Sequence, residues 1–347
     1  MPSARFVRSA ISLPPGSYRR ENCLTLYACI QGGKGVRFIE MRKKSRIDLD
    51  ELAIELGLPL KFLRWQAATV QKSYRVYTIP KSNGKMRTIE APSRQLKFIQ
   101  SRLVATVLPN KVSSCATAFV PEKNIADNAR PHLNKPVVLG MDIKNFFPSL
   151  SYKLLFDYLM KNGFTPDAAK TVTALCTFNG HLPQGAVTSP HLANLLLYEF
   201  DLAIRRYVRR FATYTRYADD LTFSGDFGEN EISAIINRCR MELRPLGLKL
   251  NPDKTHVSRR GSRQQITGLV VNEKIQAPRE FRRGLRQEMY YLNRFWEKEW
   301  HGLTDERLNS LLGKINFVWN IDRSNAEFSE YRRQLLEIKK FRSSSPL

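Results

Sequence analysis

Hydrophobic positions along this chain switch between two spacings, and the switches outline an α+β molecule. Leu49, Leu52, Ala53 and Leu56 recur at three- and four-residue steps behind Asp48, which predicts a capped helix ending near Gly57. A second helix follows Pro59 and runs to about Ala68. The pair has the outline of a helix-turn-helix, although a packing hairpin is the commoner outcome. Residues 74–79 and 85–90 are rich in β-branched and aromatic side chains around Asn83-Gly84, a strong hairpin signal. Ser93 then caps a helix to about Leu108, with Leu96, Ile99, Leu103 and Val107 as its buried stripe. The apolar run after Pro136 predicts a buried strand that delivers Asp142 to its C-terminal end. Ser151 and Thr165-Pro166 start two more helices. Thr188 to Pro190 opens a long helix with Leu192, Leu195, Leu196 and Phe200 inward and a basic far end, Arg205 to Arg210. Residues 213–224 return to β character, and 265–272 read as a short apolar strand. From Pro278 onward the pattern is helical, with starts at Pro278, at Thr304 and at a capping box in Ser324-Asn-Ala-Glu327. Residues 1–47 read as a loosely structured extension with one short strand at most, and the pattern gives it no role.

Polar chemistry concentrates where the β character returns. Tyr217-Ala218-Asp219-Asp220 sets two adjacent carboxylates in an aromatic, β-branched run whose single local cation is Arg216. Such a pair repels itself and loses hydration, so it belongs at a tight turn or beside a divalent cation. Taken alone, an Asp-Asp pair is more often a solvated acidic turn. Asp142 supplies the partner that a metal reading needs. Three carboxylates brought together form an oxygen-rich site suited to Mg²⁺ held jointly with substrate phosphates, and Mn²⁺ could substitute. Two such ions about 4 Å apart activate a hydroxyl nucleophile and stabilise a departing pyrophosphate.

The order Asp142, then Leu182-Pro-Gln184-Gly185, then Tyr-Ala-Asp219-Asp220 resembles the reverse transcriptases, and more narrowly the bacterial retron reverse transcriptases. Asn128-Ala-Arg-Pro-His132 matches the Asn-Ala-x-x-His motif of that family, and Ile266-Thr267-Gly268 matches its Val-Thr-Gly motif with Ile in place of Val. The resemblance spans roughly residues 74–275. It implies a right-hand polymerase: fingers from 48–135 with 150–190 contributing, a palm from 136–149 and 190–277, and a helical thumb from 278–347 that recognises RNA.

The same resemblance implies roles for single residues. Asp142, Asp219 and Asp220 hold the metal ions. Lys254, in Gly247-Leu-Lys-Leu-Asn-Pro-Asp-Lys254, protonates the leaving pyrophosphate, although an exposed lysine is as good a reading of that residue alone. Arg87, and less clearly Lys85, grips the triphosphate from a hairpin tip that also exposes Lys81. Phe147, five residues past Asp142, walls off a ribose 2′-hydroxyl. Gln184 touches the nucleotide and the template base. Asn128, His132, Thr267 and Gly268 help to hold RNA. Family likeness further implies dNTP substrates, a dedicated non-coding RNA primed from its own 2′-hydroxyl, a branched RNA–DNA product, and phage defence with an effector protein. Other bacterial reverse transcriptases are the alternative: group II intron, diversity-generating or abortive-infection types. The intron type is disfavoured by the lack of a maturase-like extension or Cys/His nuclease tail. A second alternative is an RNA-binding scaffold that leaves the chemistry unused.

Composition agrees with a polyanionic partner. The net charge is +24, from 56 Lys and Arg against 32 Asp and Glu, and both ends of the chain share in the excess. That distribution suits a long nucleic-acid track better than one small patch. At 42% hydrophobic residues the chain is globular. Its five cysteines are odd in number and scattered, which disfavours zinc and a disulfide framework. No apolar stretch suggests a signal peptide or a membrane span, so a cytoplasmic protein is expected. Tyr290, Tyr291, Trp296, Trp300 and Trp319, interleaved with Arg and Lys, are candidates for stacking on RNA bases, with core packing the alternative for at least half of them.

Overall fold

The computed structural model describes residues 26–29, 37–40, 46–80, 84–295 and 304–344. The N-terminal extension, expected to hold one short strand at most, contains two that pair antiparallel, β1 (Leu26–Cys29) and β2 (Arg37–Glu40). Helix α1 (Leu49–Leu56) starts where Asp48 accepts a hydrogen bond from the Glu51 amide at 2.8 Å, and it stops at Gly57 in a left-handed conformation. Together with α2 (Leu60–Ala68) it packs against α7 (Pro166–Cys176), which makes the pair a packing hairpin.

Strands β3 (Tyr74–Pro80) and β4 (Met86–Pro92) form the expected hairpin, with Lys81 and Asn83 of its tip outside the described residues. Its root is anchored. Gln100, fully buried on α3 (Arg94–Arg102), donates to the Tyr74 hydroxyl and to the Leu175 carbonyl, and its Oε1 accepts from the Val187 amide. The Ser93 helix widens into a π turn over Leu103–Val107 before it ends.

The centre of the molecule is a four-stranded antiparallel sheet in the order β6-β7-β5-β8: β5 is Val137–Asp142, β6 Ala212–Tyr217, β7 Asp220–Gly225 and β8 His256–Arg259. Alternation along each strand gives the sheet two unlike faces. Val137, Leu139, Met141, Leu221, Phe223 and Tyr214 enter the large core, which also holds α6 (Tyr152–Lys161), α7, α8 (Thr188–Leu196), α9 (Tyr198–Val208) and α10 (Glu229–Leu243). Helices α8 and α9 fill the place of the single long helix expected from Thr188. They bend at Leu197, and the bonds Leu197 N–Ala193 O and Asp201 N–Leu197 O still bridge the bend.

The opposite face is roofed over only its lower half. A smaller cluster there joins Val138 to Ala126 and Ala129 of α4 (Ile125–Ala129) and to Ile266, Leu269 and Val271. Residues 265–272 do not form the single strand expected. They fold into a tight hairpin, β9 (Gln265–Ile266) and β10 (Leu269–Val270), around Thr267 at φ 45° and Gly268 at φ 84°. Two successive positive φ values match the right-handed twist of a two-residue hairpin. Glycine takes that conformation freely, whereas β-branched Thr267 is strained in it.

Three C-terminal helices, α11 (Arg279–Phe295), α12 (Asp305–Ile321) and α13 (Ala326–Ser344), share a core of their own around Leu285, Met289, Leu311, Ile315, Phe328 and Leu335. The cap expected at Ser324 sits one residue later: Asn325 accepts from the Phe328 amide, while the Ser324 hydroxyl donates to Asp322. Trp319 lies between the guanidiniums of Arg323 and Arg332, and Tyr290 and Tyr291 are about half exposed. Trp296 and Trp300 fall outside the described residues. Among the described residues Cys115, Cys176 and Cys239 are buried free thiols, and no helix is long and apolar enough to cross a membrane.

Candidate active site

Register alone brings the three acids to one place. Asp142 ends β5 directly opposite Asp220, which begins β7, so their side chains leave the sheet on the same face. Ala218 and Asp219 form the two-residue loop between β6 and β7, with Ala218 at φ 57°. The Asp219 carbonyl accepts from the Ile143 amide at 3.0 Å, which ties the loop back to β5.

Arg216, the one cation beside the acids in sequence, does not face them. Its alternate position on β6 turns it into the core, where both it and Asp201 of α9 have no exposed side-chain surface. The two form a bidentate pair at 2.9 and 2.8 Å. The Tyr214 hydroxyl donates to the same carboxylate at 2.8 Å, and Arg216 Nη1 reaches the Ala218 carbonyl at 3.2 Å. The strained loop is therefore held from beneath by a buried, hydrogen-bonded ion pair.

The acids are left under electrostatic tension. Burial first, then Asp142, raises Asp219 above the usual carboxylate range, opposed by its own backbone amide and by Lys254. Asp220 is pushed up to about 6, first by lost hydration and then by Asp219 and Asp142. One cation already answers this charge: Lys254 Nζ sits 2.6 Å from Asp142 Oδ2, and that hydrogen bond raises the lysine so that it keeps its proton at neutral pH. Asn251 donates to the other Asp142 oxygen at 3.3 Å.

These side chains are a fitting donor set for divalent ions. They are hard oxygen ligands; Asp142 is paired with the Lys254 ammonium, while Asp219 and Asp220 have no directly bonded cation among the described residues. They do not close into a three-ligand cage among the described residues. Ions held here would have to take their remaining ligands from substrate phosphates and water.

Asp142 and Asp220 open into a cleft of about 280 Å³ that Gly140, Thr222, Lys254, His256 and Thr267 also line. Its floor depends on Gly140, where a Cβ would lie 2.4 Å from the His256 ring. Thr267 thus reaches the site through the β9–β10 hairpin, and Gly268 is exposed beside it.

Phe147 is half-buried on the short helix α5 (Phe146–Ser149), with its ring 5.2 Å from Phe146 and 6.2 Å from Phe119. Sequence reasoning missed Phe119. It is 47% exposed at φ 60°, and a bulky residue in that conformation becomes a signal only once the backbone is known.

Gln184 is held through its backbone, and the holder, Glu90, was also missed. The Glu90 amide donates to the Gln184 carbonyl at 2.9 Å, while the Glu90 carboxylate accepts from the Gln184 amide and from His181 Nε2, each at 3.2 Å. Gly185 is required at this crossing, because a Cβ there would meet the Glu90 carbonyl at 2.8 Å. Exposed Lys85 and Arg87 lie farther out on the same hairpin. Arg87 shares its face of β4 with Ile89, whose methyl group approaches Gly185.

Asn128 and His132, expected to touch RNA, are fully enclosed. His132 bonds through both ring nitrogens to the sheet, Asn128 bonds through Oδ1 to Thr117, and neither leaves surface for a ligand. Both lie in the roof of the lower half-face together with the β9–β10 hairpin, where Thr267 Oγ1 donates to the Ile125 carbonyl at 3.4 Å.

Comparison with known proteins identifies the family. Residues 79–292 match the family described as reverse transcriptase (RNA-dependent DNA polymerase). The retron Mx162 reverse transcriptase of Myxococcus xanthus is 32% identical over 336 residues, which cover 86% of this chain and 68% of that protein. The retron Mx65 reverse transcriptase of the same organism is 34% identical over 278 residues, covering 73% and 64% of the two chains. The retron Ec86 reverse transcriptase of Escherichia coli is 31% identical over 302 residues, covering 84% and 89%. The chain thus spans about two thirds of the length of the two myxobacterial relatives and most of the third.

Proposed function

The chain belongs to the reverse transcriptase family of RNA-dependent DNA polymerases, within its bacterial retron type, and on that premise we propose that it copies a dedicated structured non-coding RNA into DNA, starting from a 2′-hydroxyl of the same RNA. The fold is the right-hand polymerase, the template is RNA, and catalysis in this family depends on divalent metal. The observation that supports the polymerase chemistry of this reading is the cross-strand register of Asp142 and Asp220 beside the Asp219 loop, at a cleft also lined by Ile266 and Thr267.

In this reading Asp142, Asp219 and Asp220 hold the metal ions, Mg²⁺ in the first instance. When bound, these ions supply the charge that activates the attacking hydroxyl and offsets the departing pyrophosphate. Lys254, protonated and 2.6 Å from Asp142, carries the proton available to the leaving group. Arg87 and Lys85 bind the triphosphate from the hairpin. Gln184, fixed through its backbone by Glu90, orients the nucleotide against the template base. Thr267 and Gly268 support the RNA strand that ends at the acids, and the C-terminal helices hold the rest of the RNA through Tyr290 and Tyr291 among their arginines.

Phe147 excludes the ribose 2′-hydroxyl by occupying its space. Phe147→Ala is therefore expected to raise ribonucleotide relative to deoxynucleotide incorporation by roughly 10- to 100-fold. Single-nucleotide extension with each substrate measures this, and an unchanged ratio would remove the residue from that role.

The product of self-priming is a branched RNA–DNA molecule, and its use in phage defence beside an effector protein is the biological setting that family likeness supports. Nucleic acid copurified from the native locus, treated with RNase and run on a denaturing gel, tests the priming. A discrete short DNA that debranching enzyme shortens at one end is expected. Absence of DNA, with activity retained on an added primed RNA, would leave the polymerase and remove self-priming.

A further inference from the structure

We propose that Asn128 and His132, the polar ends of the Asn-Ala-x-x-His segment, are positioning residues that set the catalytic hairpin from within the protein, and that they make no contact with RNA. The inference rests on the assignment of Asp142, Asp219 and Asp220 as the reaction centre. It concerns what holds them.

His132 closes the short turn after α4 and lies flat against the half-roofed face of the sheet. Its Nε2 is 2.8 Å from Thr215 Oγ1 on β6, and its Nδ1 is 2.7 Å from Ser224 Oγ on β7. One ring therefore spans the two strands of the hairpin whose tip carries Asp219. Side chains two and four residues apart on a strand share a face. Ser224, Thr222 and Asp220 accordingly form one column on β7, and Thr215 and Tyr217 form its neighbour on β6. The histidine grips the foot of the column that ends in the metal-binding acid. Burial, and then Lys135, pushes its pKa down to about 3, so the ring is neutral and offers one donor and one acceptor. The two hydroxyls complete either arrangement of that proton.

Asn128 reaches the same hairpin by a second route. Thr117 Oγ1 is 2.8 Å from Asn128 Oδ1 and 3.1 Å from the Arg216 carbonyl, which also accepts from the Thr117 amide at 2.9 Å. The Arg216 amide in turn donates to the Cys115 carbonyl at 2.8 Å, so residues 115–117 run beside β6 as a short extra edge. A hydroxyl has one proton and cannot give it to both acceptors. With the amide turned end for end, Asn128 donates to Thr117 and Thr117 donates to Arg216, which gives a continuous relay and also employs the amide nitrogen that otherwise lacks a partner. Arg216 is thus fixed by its backbone through Asn128 and by its side chain through Asp201. The hairpin is clamped on both faces and at one edge, and none of the clamping groups reaches the surface.

The test uses the full chain on a primed RNA template with two variants, His132→Gln and Thr215→Val/Ser224→Ala. The expected result is a kcat for the first deoxynucleotide addition lowered roughly 10- to 100-fold, the loss that a displacement of about 1 Å at a reacting group produces. KM for the nucleotide and Kd for RNA should stay within about twofold, and the amides of residues 213–224 should exchange faster with deuterium. Thr117→Val keeps its shape, tests the Asn128 arm separately, and stands in if His132→Gln does not fold. Two results overturn the proposal: a fall in RNA affinity with kcat preserved, which makes these residues RNA contacts, or an unchanged kcat per folded molecule, which makes them ordinary core. Inactivity of the wild-type chain on the same template would instead indict the polymerase reading on which the proposal rests.

Discussion

Asp219→Asn is expected to lower deoxynucleotide incorporation by at least about a thousandfold on any RNA template, a loss of roughly 4 kcal/mol of transition-state stabilisation. The substitution keeps the size of the side chain and its place in the loop, so the Asp219 carbonyl still accepts from Ile143 and the hairpin still forms. What disappears is the negative charge that, after burial, does most to raise Asp220 above the usual carboxylate range. RNA binding draws on cationic residues spread along the chain and should survive within about twofold. Primer extension and a filter-binding titration on the same preparation separate the two quantities. Near-normal synthesis by the variant would dismiss Asp219 from the reaction centre and would favour an RNA-binding scaffold that does not use its chemistry.

Arg216→Met carries the largest expected effect on stability. The change strands the Asp201 carboxylate in the core with only the Tyr214 hydroxyl to bond it, and breaking a buried pair from one side costs about 3–5 kcal/mol. Urea unfolding measures the loss, and a change below about 1 kcal/mol would contradict the burial described above. Replacing all three polar partners together, by Tyr214→Phe, Asp201→Leu and Arg216→Met, should recover most of the stability, because apolar packing of similar volume often equals or exceeds a buried ion pair. Activity should not return with it. The hydrogen bond from Arg216 to the Ala218 carbonyl is lost in both variants, and with it the restraint on a left-handed alanine beside the acids.

The sequence was readable wherever the signal is local. Asp48, Gly57 and Ser93 punctuate helices through bonds made within three residues, and all three serve as expected. The buried strand before Asp142 was equally plain, because a run of apolar residues has few other uses. Readings failed where the deciding contact lies far along the chain. His132 reads as a loop histidine until Thr215 and Ser224, 83 and 92 residues away, are seen to bond it. Arg216 reads as a neighbour for the acids until strand alternation turns it toward Asp201. Glu90 gives no sign in sequence that it will hold Gln184. The turn at Thr267-Gly268 was hidden by its apolar flanks, which describe one strand and two short ones equally well.

The bonds that hold Gln184 also limit how the β3–β4 hairpin can move. Its base is fastened to the loop of Gln184 by backbone and side chain of Glu90, to α3 by Tyr74 and Gln100, and across itself by the Ser93 amide on the Ser73 carbonyl at 2.7 Å. A lever fastened at its fulcrum bends only beyond the fastening. In the function proposed above, closure over a nucleotide would be a flexing of the outer part of β3 and β4, past Glu90, and not a rotation of the hairpin's base. Such a stroke sweeps Arg87 and Lys85 through an arc only a few residues long. It leaves Gln184 stationary, an anvil beneath the moving arm.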